Sequence, residues 1–125
     1  MLIVEDNADA RESLGALLRL SGHEVHLAEG GRRGAELAAA LAPDAILLDI
    51  GLPDLNGYEL ARRLRAAPAT REALLVALTG YGMQEDRRRA LAAGFDEHLA
   101  KPVELAAVLA LIQRGRGAPR ELRSA

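Results

Sequence analysis

Cysteine is absent from the 125-residue chain, which excludes disulfide scaffolds, cysteine-ligated zinc and thiol catalysis. Tryptophan is absent too. The aromatic residues are Tyr58, Tyr81 and Phe95 alone, too few for base stacking as a mode of action. Lysine is nearly missing: fifteen of the sixteen basic residues are arginine, and Lys101 stands by itself. Neither sign of charge dominates, and a formal net charge of -2 gives no electrostatic case for nucleic acid as a direct partner. No apolar run approaches the roughly 18 residues that a membrane span needs. Glu5 and Asp6 interrupt the apolar start at once, unlike a signal peptide. The expectation is a soluble, cytoplasmic domain without a membrane partner. What is present is a half-apolar composition at the length of one domain, enough for a real core and unlike a disordered linker.

Short apolar runs alternate with longer amphipathic ones. Leu2-Ile3-Val4, Val25 with Leu27, Ala45 to Leu48, Leu74 to Leu78 and His98 to Ala100 read as strands. Asn7 caps the first helix and Asp9 sits in its first turn, where the helix dipole favours an anion. Leu14, Leu17 and Leu18 follow helical spacing, and Gly22 closes that helix. The second helix runs from about Arg32 to Ala42, with Leu37 and Leu41 on one face. Asn56 caps the third, which carries Leu60 and Leu64 one turn apart. A fourth spans Gln84 to Ala93 and is closed by Gly94, and a fifth buries Leu105, Val108, Leu109 and Ile112. Gly115 to Ala125 is polar and rich in Gly and Arg, so a domain over 1–114 with a flexible tail over 115–125 is expected.

Five βα units in a row predict a parallel sheet with helices on both faces. The first, third and fourth strands are continuous apolar runs, as in strands buried on both faces, whereas the second and fifth alternate with polar residues as edges do. An order of 2-1-3-4-5 satisfies both conditions, which is the flavodoxin-like doubly wound α/β arrangement.

The unusual polar residues fall at strand ends. Glu5 and Asp6 follow the first strand, Asp49 ends the third, Thr79 the fourth and Lys101 the fifth. In open α/β sheets ligands bind at that edge, at the switch point between the first and third strands. Three carboxylates gathered there repel one another, and a hard divalent cation resolves the conflict; an all-oxygen set suits Mg²⁺. Lys101 offers a point charge and Thr79 a hydroxyl for phosphate oxygens, and a carboxylate can accept a phosphoryl group as an aspartyl phosphate.

The residues Val4-Glu5-Asp6-Asn7, Leu47 to Glu59, Ala77-Leu78-Thr79-Gly80, Ala93-Gly94-Phe95-Asp96 and Lys101-Pro102 occur in order. Together they resemble the receiver domain of two-component response regulators over essentially the whole chain. The stretch from Ala77 to Gly82 is similar to receivers attached to hybrid sensor histidine kinases. The resemblance implies that Asp49 accepts a phosphoryl group from a histidine kinase or histidine phosphotransfer protein. It implies Mg²⁺ held by the side chains of Asp6 and Asp49, by Glu5 through water and by the carbonyl of Gly51. Lys101 is expected to pair first with Asp49 and then with the phosphoryl group, and Thr79 to move inward. The domain would catalyse its own phosphorylation and dephosphorylation without turning over external substrates. The Lys101-Pro102 bond is expected to be cis.

Three positions depart from the common pattern or bear on the site. His98 stands where the family usually carries a Tyr or Phe switch, so its polarity depends on pH. Gly51, two residues after Asp49, has no side chain to orient a water, while Tyr81 is placed to shield the site. Arg87-Arg88-Arg89 reads as a solvated helix face beside Glu85 and Asp86, with Leu91 nearly the only large apolar anchor. Such sparse anchoring suggests a movable helix. The fourth helix, fifth strand and fifth helix are the expected face for a phosphorylation-dependent partner or homodimer. Two alternatives stand beside this reading: an interaction module that is not phosphorylated, and a Mg²⁺-dependent phosphatase with an Asp nucleophile.

Overall fold

Strands and helices alternate along the chain: β1 (Leu2–Val4), α1 (Ala8–Leu20), β2 (His26–Ala28), α2 (Gly31–Leu41), β3 (Ala45–Asp49), α3 (Gly57–Ala66), β4 (Leu74–Thr79), α4 (Gln84–Ala93), β5 (Glu97–Ala100) and α5 (Leu105–Gly117). The computed structural model describes residues 1–80 and 84–117. The expected shield Tyr81, the side chains of Glu85, Asp86 and Arg87, and residues 118–125 lie outside what it describes. All strand pairs are parallel and the order is β2-β1-β3-β4-β5, as the composition of the strands predicts. β1, β3 and β4 are buried along their whole length, and the edge strand β5 is half-exposed.

The pleat sends alternate residues to opposite faces of the sheet. Leu2, Val4, Ile46, Leu48, Leu75 and Ala77 pack in one layer with Ala38, Leu60 and Ala90 from α2, α3 and α4. Ile3, Ala45, Leu47, Leu74, Val76 and Leu78 pack in the other with Leu14, Leu18, Val108 and Ile112 from α1 and α5. Truncating a fully buried leucine such as Leu47 to alanine costs about 2–5 kcal/mol, because the transfer term and the cavity add.

Helix ends follow their sequence signals where the signal is local. The Asn7 side chain accepts from the Ala10 amide at 2.9 Å, and the Asn56 side chain from the Tyr58 amide at 2.8 Å. Gly22 and Gly94 close α1 and α4 with φ of +94° and +114°, a conformation that costs other residues strain. The start of α2 has no such local cap. Asp54, far along the chain in the loop after β3, accepts from the Gly31 amide at 2.8 Å and the Arg32 amide at 3.1 Å.

Several apolar expectations shift. Leu17 and Leu41 are exposed, and the small residues Gly15, Gly34 and Ala38 lie at the buried faces instead. Leu91 does not anchor α4: it is 52 % exposed, and Ala90 and Ala93 face the core. On α5, Val108, Leu111 and Ile112 are buried while Leu105 and Leu109 are partly so. That helix also continues to Gly117, so residues 115–117, expected in the tail, are helical.

Candidate functional site

The sheet pleat explains why distant residues converge. Counting on from Ile3, Leu47 and Leu99, the residues Glu5, Asp49 and Lys101 share the parity of the α1 and α5 layer. The ladder continues that far, because the Glu5 amide donates to Ala28 O at 3.0 Å and the Lys101 amide to Thr79 O at 2.8 Å. All three side chains therefore meet above the carboxyl edge of the sheet. Lys101 Nζ lies 2.8 Å from Glu5 Oε1 and 2.9 Å from Asp49 Oδ2. The expected Lys101–Asp49 pair is thus present, and Glu5 shares the same ammonium.

The carboxylates are unlike one another. Glu5 and Asp49 are buried, whereas Asp6 is exposed, yet an oxygen from each lies within 4.8 Å of the others. Both Glu5 oxygens are engaged, Oε1 by Lys101 and Oε2 by the Asn7 amide at 3.2 Å. Asp49 Oδ1 accepts from the Gly51 amide at 2.9 Å. Burial raises the pKa of Glu5, and the neighbouring Asp49 adds to the effect beyond what Lys101 and the Asn7 amide recover. Burial acts in the same sense on Asp49. There, however, the neighbouring Glu5 carboxyl, the Lys101 ammonium and the Gly51 amide outweigh it and hold the carboxyl below its ordinary 3.8. Burial pulls the Lys101 ammonium down, and the two carboxylates more than reverse this, so it stays protonated above its usual range. At neutral pH Asp49 is ionised and aimed into an anionic cluster that one ammonium only partly balances.

Such a donor set fits a hard cation. It contains carboxylate oxygens of Glu5, Asp6 and Asp49 and, among the described residues, no nitrogen or sulfur ligand, the chemistry of a Mg²⁺ site. The loop after Asp49 is held close by Gly57: a Cβ there would lie 2.6 Å from Ile50 Cα and 2.8 Å from Asp49 O. Thr79 is buried at the end of β4 on the opposite parity, facing the layer of α4. His98 is half-exposed and pairs with Ala77, so it lies on the same sheet face as Thr79. The Lys101-Pro102 bond is cis, as expected. Beside Lys101 a largely apolar cleft of about 220 Å³ runs between Leu14 and Leu17 of α1 and Pro102 and Val103.

Sequence reasoning missed three supporting residues. Arg11 Nη1 donates to Glu5 O at 2.9 Å and to Asp6 O at 3.4 Å. Asp54 ties the loop after Asp49 to α2. Arg65 binds the carbonyls of Gly94, Arg71 and Ala73 and forms a 2.6 Å ion pair with Asp96, fixing the turn between α4 and β5. Among these, only the Arg11 spacing has a helical logic readable from the chain, since its side chain points back along α1 toward its N-terminus.

Comparison with known proteins converges on one description. The profile of the response regulator receiver domain matches residues 1–113. The response regulator MprA of Mycolicibacterium vanbaalenii is 39% identical over 110 residues, covering 88% of this chain and 47% of the relative. The transcriptional regulatory protein CusR of Escherichia coli K12 is 41% identical over 119 residues, covering 92% and 52%. The chain therefore spans about half the length of these two relatives. The receiver domain of sensor histidine kinase PA1611 from Pseudomonas aeruginosa PAO1 superposes with a TM-score of 0.85 at 38% identity, covering 94% and 96% of the two chains. That structure is described with a magnesium ion coordinated in its active site cleft.

Proposed function

Because the chain belongs to the response regulator receiver domains of two-component signalling, we propose that Asp49 is its phosphoryl acceptor. The supporting observation is the pair of contacts on one carboxylate: Lys101 on Oδ2 and the Gly51 amide on Oδ1, with the pKa held low. An ionised, oriented carboxylate is the nucleophile that the reaction needs. Receiver domains work with histidine kinases or phosphotransfer proteins. In this reading a carboxylate oxygen of Asp49 forms a bond to phosphorus, the P–N bond of the donor phosphohistidine breaks, and the imidazole leaves with that electron pair as a neutral ring, keeping the proton its other nitrogen carries in the donor. Lys101 turns from the carboxylate to the phosphoryl oxygens as their charge grows, which is electrostatic stabilisation by a group already in place.

Asp6, Asp49 and the Gly51 carbonyl would hold Mg²⁺. Glu5 would act through water, in keeping with both its oxygens being engaged. The ion would supply positive charge to the phosphoryl oxygens. Thr79 then donates its hydroxyl to the phosphoryl group, and because His98 lies on the same sheet face, the movement reaches β5 and α4. The face formed by α4, β5 and α5 carries the signal to a partner or a second copy. The apolar cleft beside Lys101 gives a protein donor a surface next to the nucleophile. A phosphatase on external esters is disfavoured because Gly51 has no side chain to act as general acid.

The test is to treat the domain with a small phosphodonor and Mg²⁺, then reduce with borohydride. An acyl phosphate on Asp49 is converted to homoserine, and peptide mass spectrometry should find the change at that residue. Reduction mapped to another carboxylate would overturn the assignment.

A further inference from the structure

The geometry points to Arg11 as a positioning residue for the acidic site. Glu5 and Asp6 lie in the short connection between β1 and α1, and their carboxylates must stay close despite mutual repulsion. Glu5 is secured by its amide on Ala28, by Lys101 and by the Asn7 amide. Asp6 is exposed and has none of these contacts. Among the described residues, the hydrogen bond that reaches its backbone is the one from Arg11 Nη1, which spans the carbonyls of Glu5 and Asp6 at 2.9 and 3.4 Å. The guanidinium of the half-buried Arg11, in the first turns of α1, thus clamps the peptide units that carry two of the three clustered carboxylates.

Two effects of Arg11 on a bound cation have opposite signs. Its charge repels the cation, so removing it would tighten binding by Coulomb's law alone. Its clamp holds the ligand loop, so removing it would loosen the loop and weaken binding. Supporting groups of this kind are worth about 10- to 100-fold in metal affinity. The charge sits at the carbonyls rather than at the carboxylate oxygens, and its cost is reduced by the surrounding solvent, so the clamp outweighs it.

The fold supplies a matched control. Arg19, at the other end of α1, donates Nη2 to Val25 O at 2.9 Å, again across six residues, but far along the helix from the site. The experiment is Mg²⁺ titration by calorimetry on the wild-type domain, Arg11→Ala and Arg19→Ala, with folding checked by circular dichroism. Arg11→Ala should weaken Mg²⁺ binding about tenfold, and Arg19→Ala should leave it unchanged. Equal or tighter binding in Arg11→Ala would overturn the inference, as would the same weakening in both variants. Should Arg11→Ala fail to fold, Arg11→Gln keeps the aliphatic stem but falls short of the carbonyls, and should weaken binding likewise. The inference rests on the Mg²⁺ reading of the site: a wild-type domain that binds no Mg²⁺ would overturn that reading, whereas wild-type binding with an unaffected Arg11→Ala would overturn the role of Arg11 alone.

Discussion

At the scale of single residues, the chain's polar groups act across long sequence distances, and Asp54 shows this most simply. Its carboxylate caps α2, and the Arg32 and Gly31 amides hold its pKa below the ordinary 3.8. A group whose folded pKa is depressed contributes stability that is present above its unfolded value and lost as pH falls through the folded one. Asp54→Asn removes that titration while leaving the titrations of Glu5 and Asp49 in place. The stability difference between wild type and Asp54→Asn should therefore be full above about pH 5 and should shrink as pH falls below 3.8. Urea unfolding at pH 3, 4 and 6 measures it, and a difference independent of pH would contradict the cap. The same carboxylate was not legible as a cap in the sequence, because capping signals are read from the residues flanking a helix and Asp54 arrives from another loop. Arg65 was missed for a related reason: within an arginine-rich chain nothing local separates a half-buried clamp from a solvated side chain.

At the scale of elements, the strands were readable and the helix faces less so. Continuous apolar runs marked β1, β3 and β4 as central because burial on both faces leaves no room for polar alternation. The helices pack through small residues, so leucine spacing misplaces their buried faces. Leu91 is exposed while Ala90 and Ala93 are buried, and Leu41 is exposed while Ala38 is buried. The anchoring of α4 is sparse through other residues than Leu91. Among the described side chains, α4 meets the core through two alanines, whereas α3 buries Tyr58, Leu60, Ala61 and Leu64. Its outward tie is Arg89, stacked 4.4 Å from the Tyr58 ring centre, a contact worth about 0.5–1 kcal/mol at an exposed site. Its C-terminal end is held by Gly94 against Arg65. Hydrogen exchange should find the α4 amides exchanging at least about tenfold faster than those of α3, a difference of about 1.4 kcal/mol in opening free energy. Equal protection of the two helices would contradict a weakly anchored α4.

At the scale of the whole molecule, the order β2-β1-β3-β4-β5 does the assembling. It brings Glu5, Asp49 and Lys101 from the ends of three strands to one edge, and equal pleat parity turns them toward one another. That convergence was visible in the sequence as polar residues at strand ends, whereas the pairing of Lys101 with Asp49 was implied by the resemblance to receiver domains. The sharing of Lys101 with Glu5 and the clamp of Arg11 depend on side-chain reach within the folded site, which strand-end positions alone do not specify. In the proposed function this edge makes Asp49 a phosphoryl acceptor. Intact mass after incubation with acetyl phosphate and Mg²⁺ tests it most directly, with Asp49→Asn and a chelated sample alongside. The wild-type domain should gain one phosphoryl group with Mg²⁺ and neither control any; an equal gain in Asp49→Asn would overturn the assignment of Asp49.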